Sequence, residues 1–279
     1  MTYAAEINRS NPTCFVFLVD QSTSMLDPMP ETGGTKHKAD VVADALNRLL
    51  RELTVKCAKE DGVRDYFYVS VIGYGATVRP ALAGALADKD LLPLSRIAEA
   101  PSRLEERQQK IPDGAGGLVE HSVKFPIWVE PLGNGGTPMC KALAYAKTLV
   151  SGFLDVHPDC FPPVVLNLTD GEATDGDPRP DAAGLRELAS SDGSTLFFNL
   201  HVSSQSGEPT VFPGDQDHLL DQYAIQLFEM SSPLPSHMRS YAAQQGMRVS
   251  ESSRGFVFNA DMTSVVQFLD IGTRATDLR

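Results

Sequence analysis

Cys14–Asp20 reads CFVFLVD, six apolar residues in a row closed by an aspartate. A run without polar alternation is the pattern of a strand covered on both faces, as in the middle of a parallel sheet. Downstream, Lys38–Glu60 carries apolar residues at helical spacing (Val41, Val42, Ala45, Leu49, Leu50, Leu53) after a polar loop with Pro and Gly. Asp65–Tyr74 (DYFYVSVIGY) reads as a second strand, rich in aromatic and β-branched residues. Pro138–Val156 then predicts a helix, Pro163–Thr169 (PVVLNLT) a buried strand, Asp181–Ser190 a helix and Thr195–Val202 a strand. Leu219–Met230 and Ser236–Gln245 read as helices, Gly255–Asn259 as a short strand and Ser264–Thr273 as a last helix. Strands alternating with helices define an α/β class, a doubly wound, mostly parallel central sheet with helices on both faces. Phe15–Val19, Val69–Gly73, Val164–Leu168 and Leu196–Leu200 are the expected interior strands.

The stretch from Val78 to Val123 breaks this rhythm. Leu91–Glu106 reads as short helices and Pro112–Gly117 as a loop. Phe125–Val129 (FPIWV) reads as an edge strand, because Pro126 has no N–H to give a central ladder. The expected organisation is a tail at 1–12, one domain at 13–273 with an insertion at about 78–124, and a tail at 274–279.

Composition narrows the function classes. Of 279 residues, 24 are Lys or Arg and 36 are Asp or Glu, so the net charge is −12. Between Asp155 and Asp221 lie 13 acidic residues against Arg179 and Arg186 alone, which places −11 of that charge in one stretch. Such a surface repels phosphate backbones, so no nucleic-acid partner is expected. No apolar run reaches the roughly 18 residues that cross a bilayer, so no membrane role is expected. Thr13–Val19 is too short for a secretory leader and has no basic segment before it. Cys14, Cys57, Cys140 and Cys160 form no C-x-x-C pair and sit in apolar runs, which fits reduced, buried thiols in a cytoplasmic protein.

In an open parallel sheet, ligands gather beyond the carboxyl ends of the strands. Three such places are unusual here. The first strand ends in Asp20-Gln21-Ser22-Thr23-Ser24, the loop before the 138–156 helix is Gly133-Asn134-Gly135-Gly136-Thr137, and the 163–169 strand runs into Asp170-Gly171. Asp20, Ser22, Ser24, Thr137 and Asp170 are all hard oxygen donors, a set suited to Mg²⁺ or Mn²⁺ and not to zinc or copper. Each part also has a plainer reading. Asp20 and Thr137 sit where helix caps and Asx turns occur, and Asp170-Gly171 where turns do. Asp170, Asp175 and Asp177 offer a second acidic cluster, better read as a solvated loop. Gly73-x-Gly75 and Gly133-x-Gly135 lack the third glycine of a dinucleotide fingerprint.

Together, Asp20-x-Ser22-x-Ser24, Gly135-Gly136-Thr137 and Thr169-Asp170-Gly171 resemble the metal-ion-dependent adhesion site of von Willebrand factor A domains, over residues 13 to 272. Thr23 stands where many members carry glycine. The resemblance implies that Ser22, Ser24 and Thr137 contact the ion, with Asp20 and Asp170 close by or acting through water. Within that family the chain resembles cytoplasmic bacterial proteins of the tellurium-resistance type, which implies a stress-response setting and a Ser/Thr kinase or PP2C-type phosphatase as partner. Two carboxylates balance one divalent ion, and no general base is placed beside them. The expected function is therefore non-enzymatic: a metal-dependent binding module that captures an Asp or Glu of another protein. The alternatives are a Mg²⁺-dependent phosphotransferase or phosphatase with Asp20 as nucleophile, and an accessory subunit of an AAA+ ATPase.

Overall fold

The computed structural model describes residues 3–29, 35–112, 118–203, 207–217, 219 and 222–273. The expected loop at 112–117 and the tail at 274–279 lie almost wholly outside these residues. The central sheet is built from β1 (Thr13–Asp20), β4 (Phe67–Tyr74), β9 (Val164–Thr169), β10 (Leu196–Val202) and β12 (Phe256–Ala260), all parallel. Short antiparallel strands finish it: β5 (Val78–Pro80) and β6 (Leu92–Pro93) beside β4, and β11 (Thr210–Val211) beside β12. Across the sheet the order is β11-β12-β10-β9-β1-β4-β5. The five parallel strands thus run 2-1-3-4-5, a doubly wound order that reverses direction between β1 and β9. The four expected interior strands are all interior.

Alternation along β1 explains the two layers. Phe15, Phe17 and Val19 enter one apolar cluster with α1 (Lys38–Cys57), α2 (Leu94–Glu99), α6 (Ser236–Gln244) and α7 (Met262–Gly272). Cys14, Val16 and Leu18 enter the other with α3 (Met139–Val156), α4 (Arg179–Arg186) and α5 (Gln222–Met230). All eight residues of β1 are buried. Each such Phe or Leu contributes about 1.5–3 kcal/mol by leaving water, so the strand is fixed from both sides.

The interrupted stretch folds differently from its sequence reading. Within Leu91–Glu106 only Leu94–Glu99 is helical. Arg103–Glu106 belong to a strand, β7 (Arg103–Pro112), paired antiparallel with β8 (Leu118–Ile127) in a ribbon outside the main sheet. Phe125–Ile127 is thus an edge strand as expected, but of this two-stranded ribbon and not of the main sheet, and Pro126 sits opposite Leu104. The reason is tertiary: Phe125 packs beneath the Arg107 guanidinium, 3.7 Å from its ring centre, while Arg107 pairs with Asp44 of α1 and with Glu105. A minor ribbon, β2 (Ala58–Lys59) with β3 (Gly62–Val63), follows α1.

Candidate metal centre

The carboxyl ends of β1 and β9 flank the point where the strand order reverses, the crevice in which such sheets bind ligands. Asp20 ends β1 and is fully buried. Its Oδ1 accepts the Ser22 amide at 2.8 Å and its Oδ2 accepts the Thr169 hydroxyl at 2.8 Å. Burial pushes the Asp20 carboxyl up to about 6, against the Ser22 and Thr169 hydrogen bonds that lower it and with the nearby Asp170 charge adding to the rise. The turn formed by Ser22 on Asp20 carries two hydroxyls, one on the buried Ser22 and one on the exposed Ser24. Ser22 Oγ and Ser24 Oγ lie 3.0 Å apart, and Asp170 Oδ1 accepts from Ser24 Oγ at 2.9 Å and from Ser22 Oγ at 3.4 Å.

The glycine loop closes the third side. Asn134 N–H donates to Gln21 C=O at 2.6 Å, Thr23 N–H to Gly135 C=O at 3.0 Å and Gly135 N–H to Thr23 Oγ1 at 3.1 Å. Gly135 has φ +90°, a conformation that L side chains rarely adopt. Gly73 and Gly75, which make no dinucleotide motif, have a packing task instead. A Cβ on Gly73 would lie 2.2 Å from Gln21 Oε1, and one on Gly75 would lie 2.5 Å from the Asn134 carbonyl oxygen.

Thr137 is buried, and its Oγ1 lies 3.8 Å from where a Cβ on Gly171 would stand. It does not cap the following helix. The N-cap position of α3 is Pro138, without a side-chain acceptor, and the Cys140 and Lys141 amides donate to the Asp175 carboxylate at 3.1 and 3.0 Å. The Thr137 hydroxyl makes no hydrogen bond to any described residue. Asp175 is thus the cap that Thr137 is not, and Asp177 pairs with Arg179 at 2.8 Å. The loop expected to be merely solvated is engaged in holding α3 and α4.

Ser22, Ser24 and Asp170 are thus in direct contact, Asp20 is bonded to the Ser22 amide, and Thr137 lies near Gly171 at the same edge of the sheet. Access is from the surface, where Thr23, Ser24, Asn134, Gly135 and Gly136 are exposed. One group escapes sequence reasoning. Lys38, at the start of α1, is buried, with Nζ 2.8 Å from Asp170 Oδ2 and 3.3 Å from Asp27 Oδ2. Two carboxylates facing one divalent ion is therefore not the charge balance of this site, because an ammonium already contacts one of them. Among the described residues no three His, Cys, Asp or Glu side chains gather into a metal-binding cluster. Any fit to a metal rests on hydroxyls with two carboxylates, a donor set for a hard cation, and on the unpartnered Thr137 hydroxyl.

No family model matches the chain, and no curated protein matches it. Solved structures of similar fold include a von Willebrand factor type A protein from Catenulispora acidiphila, at 14% identity and TM-score 0.48, covering 95% of this chain and 43% of that one. Another is proximal thread matrix protein 1 of the mussel byssus, with a zinc-occupied MIDAS motif, at 14% identity and TM-score 0.38, covering 70% and 35%. A third is the PilB minor pilin of Streptococcus sanguinis, at 10% identity and TM-score 0.47, covering 94% and 61%. The chain spans less than two thirds of each of these proteins. Among the described residues, no helix is long and apolar enough to cross a membrane.

Proposed function

We propose that this chain is a von Willebrand factor A-type binding module. Asp20, Ser22, Ser24, Thr137 and Asp170 would hold Mg²⁺ or Mn²⁺, and the carboxylate of a partner protein would complete the coordination. One observation carries the reading. Asp170 Oδ1 accepts from the Ser22 and Ser24 hydroxyls, and the Thr137 hydroxyl, close to the neighbouring Gly171, bonds to no described residue. A hydroxyl with no protein partner is free to donate its lone pairs to a hard cation. The bound ion would supply a Lewis-acidic open position for a carboxylate oxygen.

The chain's own residues have simple tasks in this scheme. Thr169 and the Ser22 amide fix Asp20, so that it supports the turn from behind. The glycine loop is bonded to the β1 turn through Asn134 and Gly135, and Thr137, two residues on, is tied to Thr174. Leu26, 46% exposed and next to Gly133, and Leu132, 42% exposed, give the rim an apolar character that suits a protein surface.

The reading is non-catalytic. Asp20 is buried, and each of its carboxyl oxygens already accepts a hydrogen bond that braces the β1 turn, which suits a supporting role better than nucleophilic attack. A cytoplasmic stress-response role beside a Ser/Thr kinase or PP2C-type phosphatase belongs to the same proposal and rests on the motif resemblance alone. The test is capture of partners from a cell lysate on the purified chain, with Mg²⁺ and with EDTA, beside calorimetry with each ion. Mg²⁺ binding in the calorimeter and partners released by EDTA support the reading. Identical partners in both lanes sink the metal bridge, and Mg²⁺-dependent hydrolysis of a generic phosphate ester would move the chain to the enzymes.

A further inference from the structure

Lys38 is placed against two general preferences. It occupies the first helical position of α1, where the positive end of the helix dipole disfavours a cation. Its side chain is only 5% exposed, so its ammonium has lost most of its water. The fold nevertheless fixes it there. Lys38 N–H donates to Asp27 C=O at 3.1 Å, Asp27 N–H to Ser24 C=O at 2.9 Å and Met29 N–H to Lys36 C=O at 2.8 Å, so backbone bonds tie the start of α1 to the turn that carries Ser22 and Ser24. What compensates the buried charge is Asp170. Its side chain is fully buried, with one oxygen on the hydroxyls and the other on Lys38 Nζ. Asp27, 54% exposed, is the weaker second partner.

We propose that Lys38 is a built-in counter-cation of the centre, which sets how strongly the centre holds a divalent ion. This rests on the metal-binding reading above. The ammonium neutralises Asp170 in the ion-free protein and keeps the two buried carboxylates from repelling each other. A divalent ion entering beside Asp170 Oδ1 meets a site whose charge has already been partly claimed, so it binds less tightly than the donor set alone would hold it. Lys38 is thus a positioning residue with an electrostatic cost. Occupancy of the centre should follow the supply of the ion and not be permanent.

The test is titration of the full chain with MgCl₂ and with MnCl₂ by calorimetry, for wild type, Lys38→Met and Lys38→Arg, together with melting curves in EDTA. A unit charge within a few ångströms of a binding group alters its affinity for a cation by tenfold or more. Lys38→Met should therefore bind both ions about tenfold more tightly, whereas Lys38→Arg, which keeps the charge, should stay within about threefold of wild type. In EDTA, Lys38→Met should melt below wild type, and saturating Mg²⁺ should close that gap. Should the methionine variant not fold, Lys38→Gln, neutral but still a hydrogen-bond donor, is titrated in its place. Equal or weaker binding by the neutral variant overturns the counter-cation and leaves the metal centre standing. No binding by any variant overturns both.

Discussion

Thr137 is the residue whose loss should separate metal binding from folding. Its hydroxyl bonds to no described residue, so Thr137→Ala removes the proposed cation ligand while costing the fold under about 1 kcal/mol. We expect Mg²⁺ affinity to fall about 10–100-fold, the scale seen when groups around a metal are lost, with an unchanged melting curve in EDTA. A variant that binds Mg²⁺ as wild type does would remove Thr137 from the centre. The thiols give a second residue-scale expectation. Burial pushes Cys57 and Cys160 up to about 12 and Cys14 well above the ordinary thiol range. The thiolate is the nucleophile, and at pH 8 a group at 12 holds only about one part in ten thousand of it. These three should ignore Ellman's reagent in the native protein and react at once in guanidinium. Because folding raises these values, the stability they confer is complete below their unfolded value of 9 and is lost as pH climbs from there toward 12.

Helix α3 shows how an element and the site depend on each other. It begins at a proline that offers no cap, and Asp175 reaches from another loop to accept two of its first amides. Asp175→Ala should cost about 1 kcal/mol, a fall in Tm of about 2–4 °C for a chain of this size. Mg²⁺ binding should weaken by less than for Thr137→Ala, because Asp175 positions the start of α3 without touching the hydroxyl cluster. Unchanged Tm would mean that the cap contributes nothing. The β7–β8 ribbon teaches the opposite lesson. Its first strand, RLEERQQKIP, has only Leu104 and Ile111 as large apolar residues, so its period and hydropathy say little. An arginine stacked on Phe125 and paired with α1 holds it in place.

At the scale of the whole chain, charge is the variable to probe. Nearly all of the −12 falls between Asp155 and Asp221, and Asp170 of the centre lies inside that stretch. A partner that completes the proposed metal site would bring a carboxylate through this field, so its docking face should be basic around that carboxylate. Raising salt from about 0.05 to 0.5 M shortens the Debye length from over 10 Å to about 4 Å. Partner capture should then weaken, while the melting temperature holds or rises as self-repulsion within the acidic stretch is screened. Capture that is indifferent to salt would mean that exposed charge plays no part in docking.

The sequence by itself determined the doubly wound sheet. Buried parallel strands demand apolar runs with no alternation, and CFVFLVD, VSVIG, VVLNL and LFFNL announce themselves wherever they fall. It also determined which residues stand at strand ends, and so which five oxygen donors were candidates for a common edge. Local sequence does not carry the rest. Whether Thr137 caps a helix or keeps its hydroxyl free depends on Asp175, 38 positions away. The ribbon's strands depend on a salt bridge to α1. Above all, the Lys38–Asp170 pair joins residues 132 positions apart, and a lysine at the start of an amphipathic helix reads as a solvated charge until the chain is wound. Hydrophobic pattern is written residue by residue because burial is a property of each side chain. Electrostatic partnership is a property of distance, and only the tertiary structure sets distance.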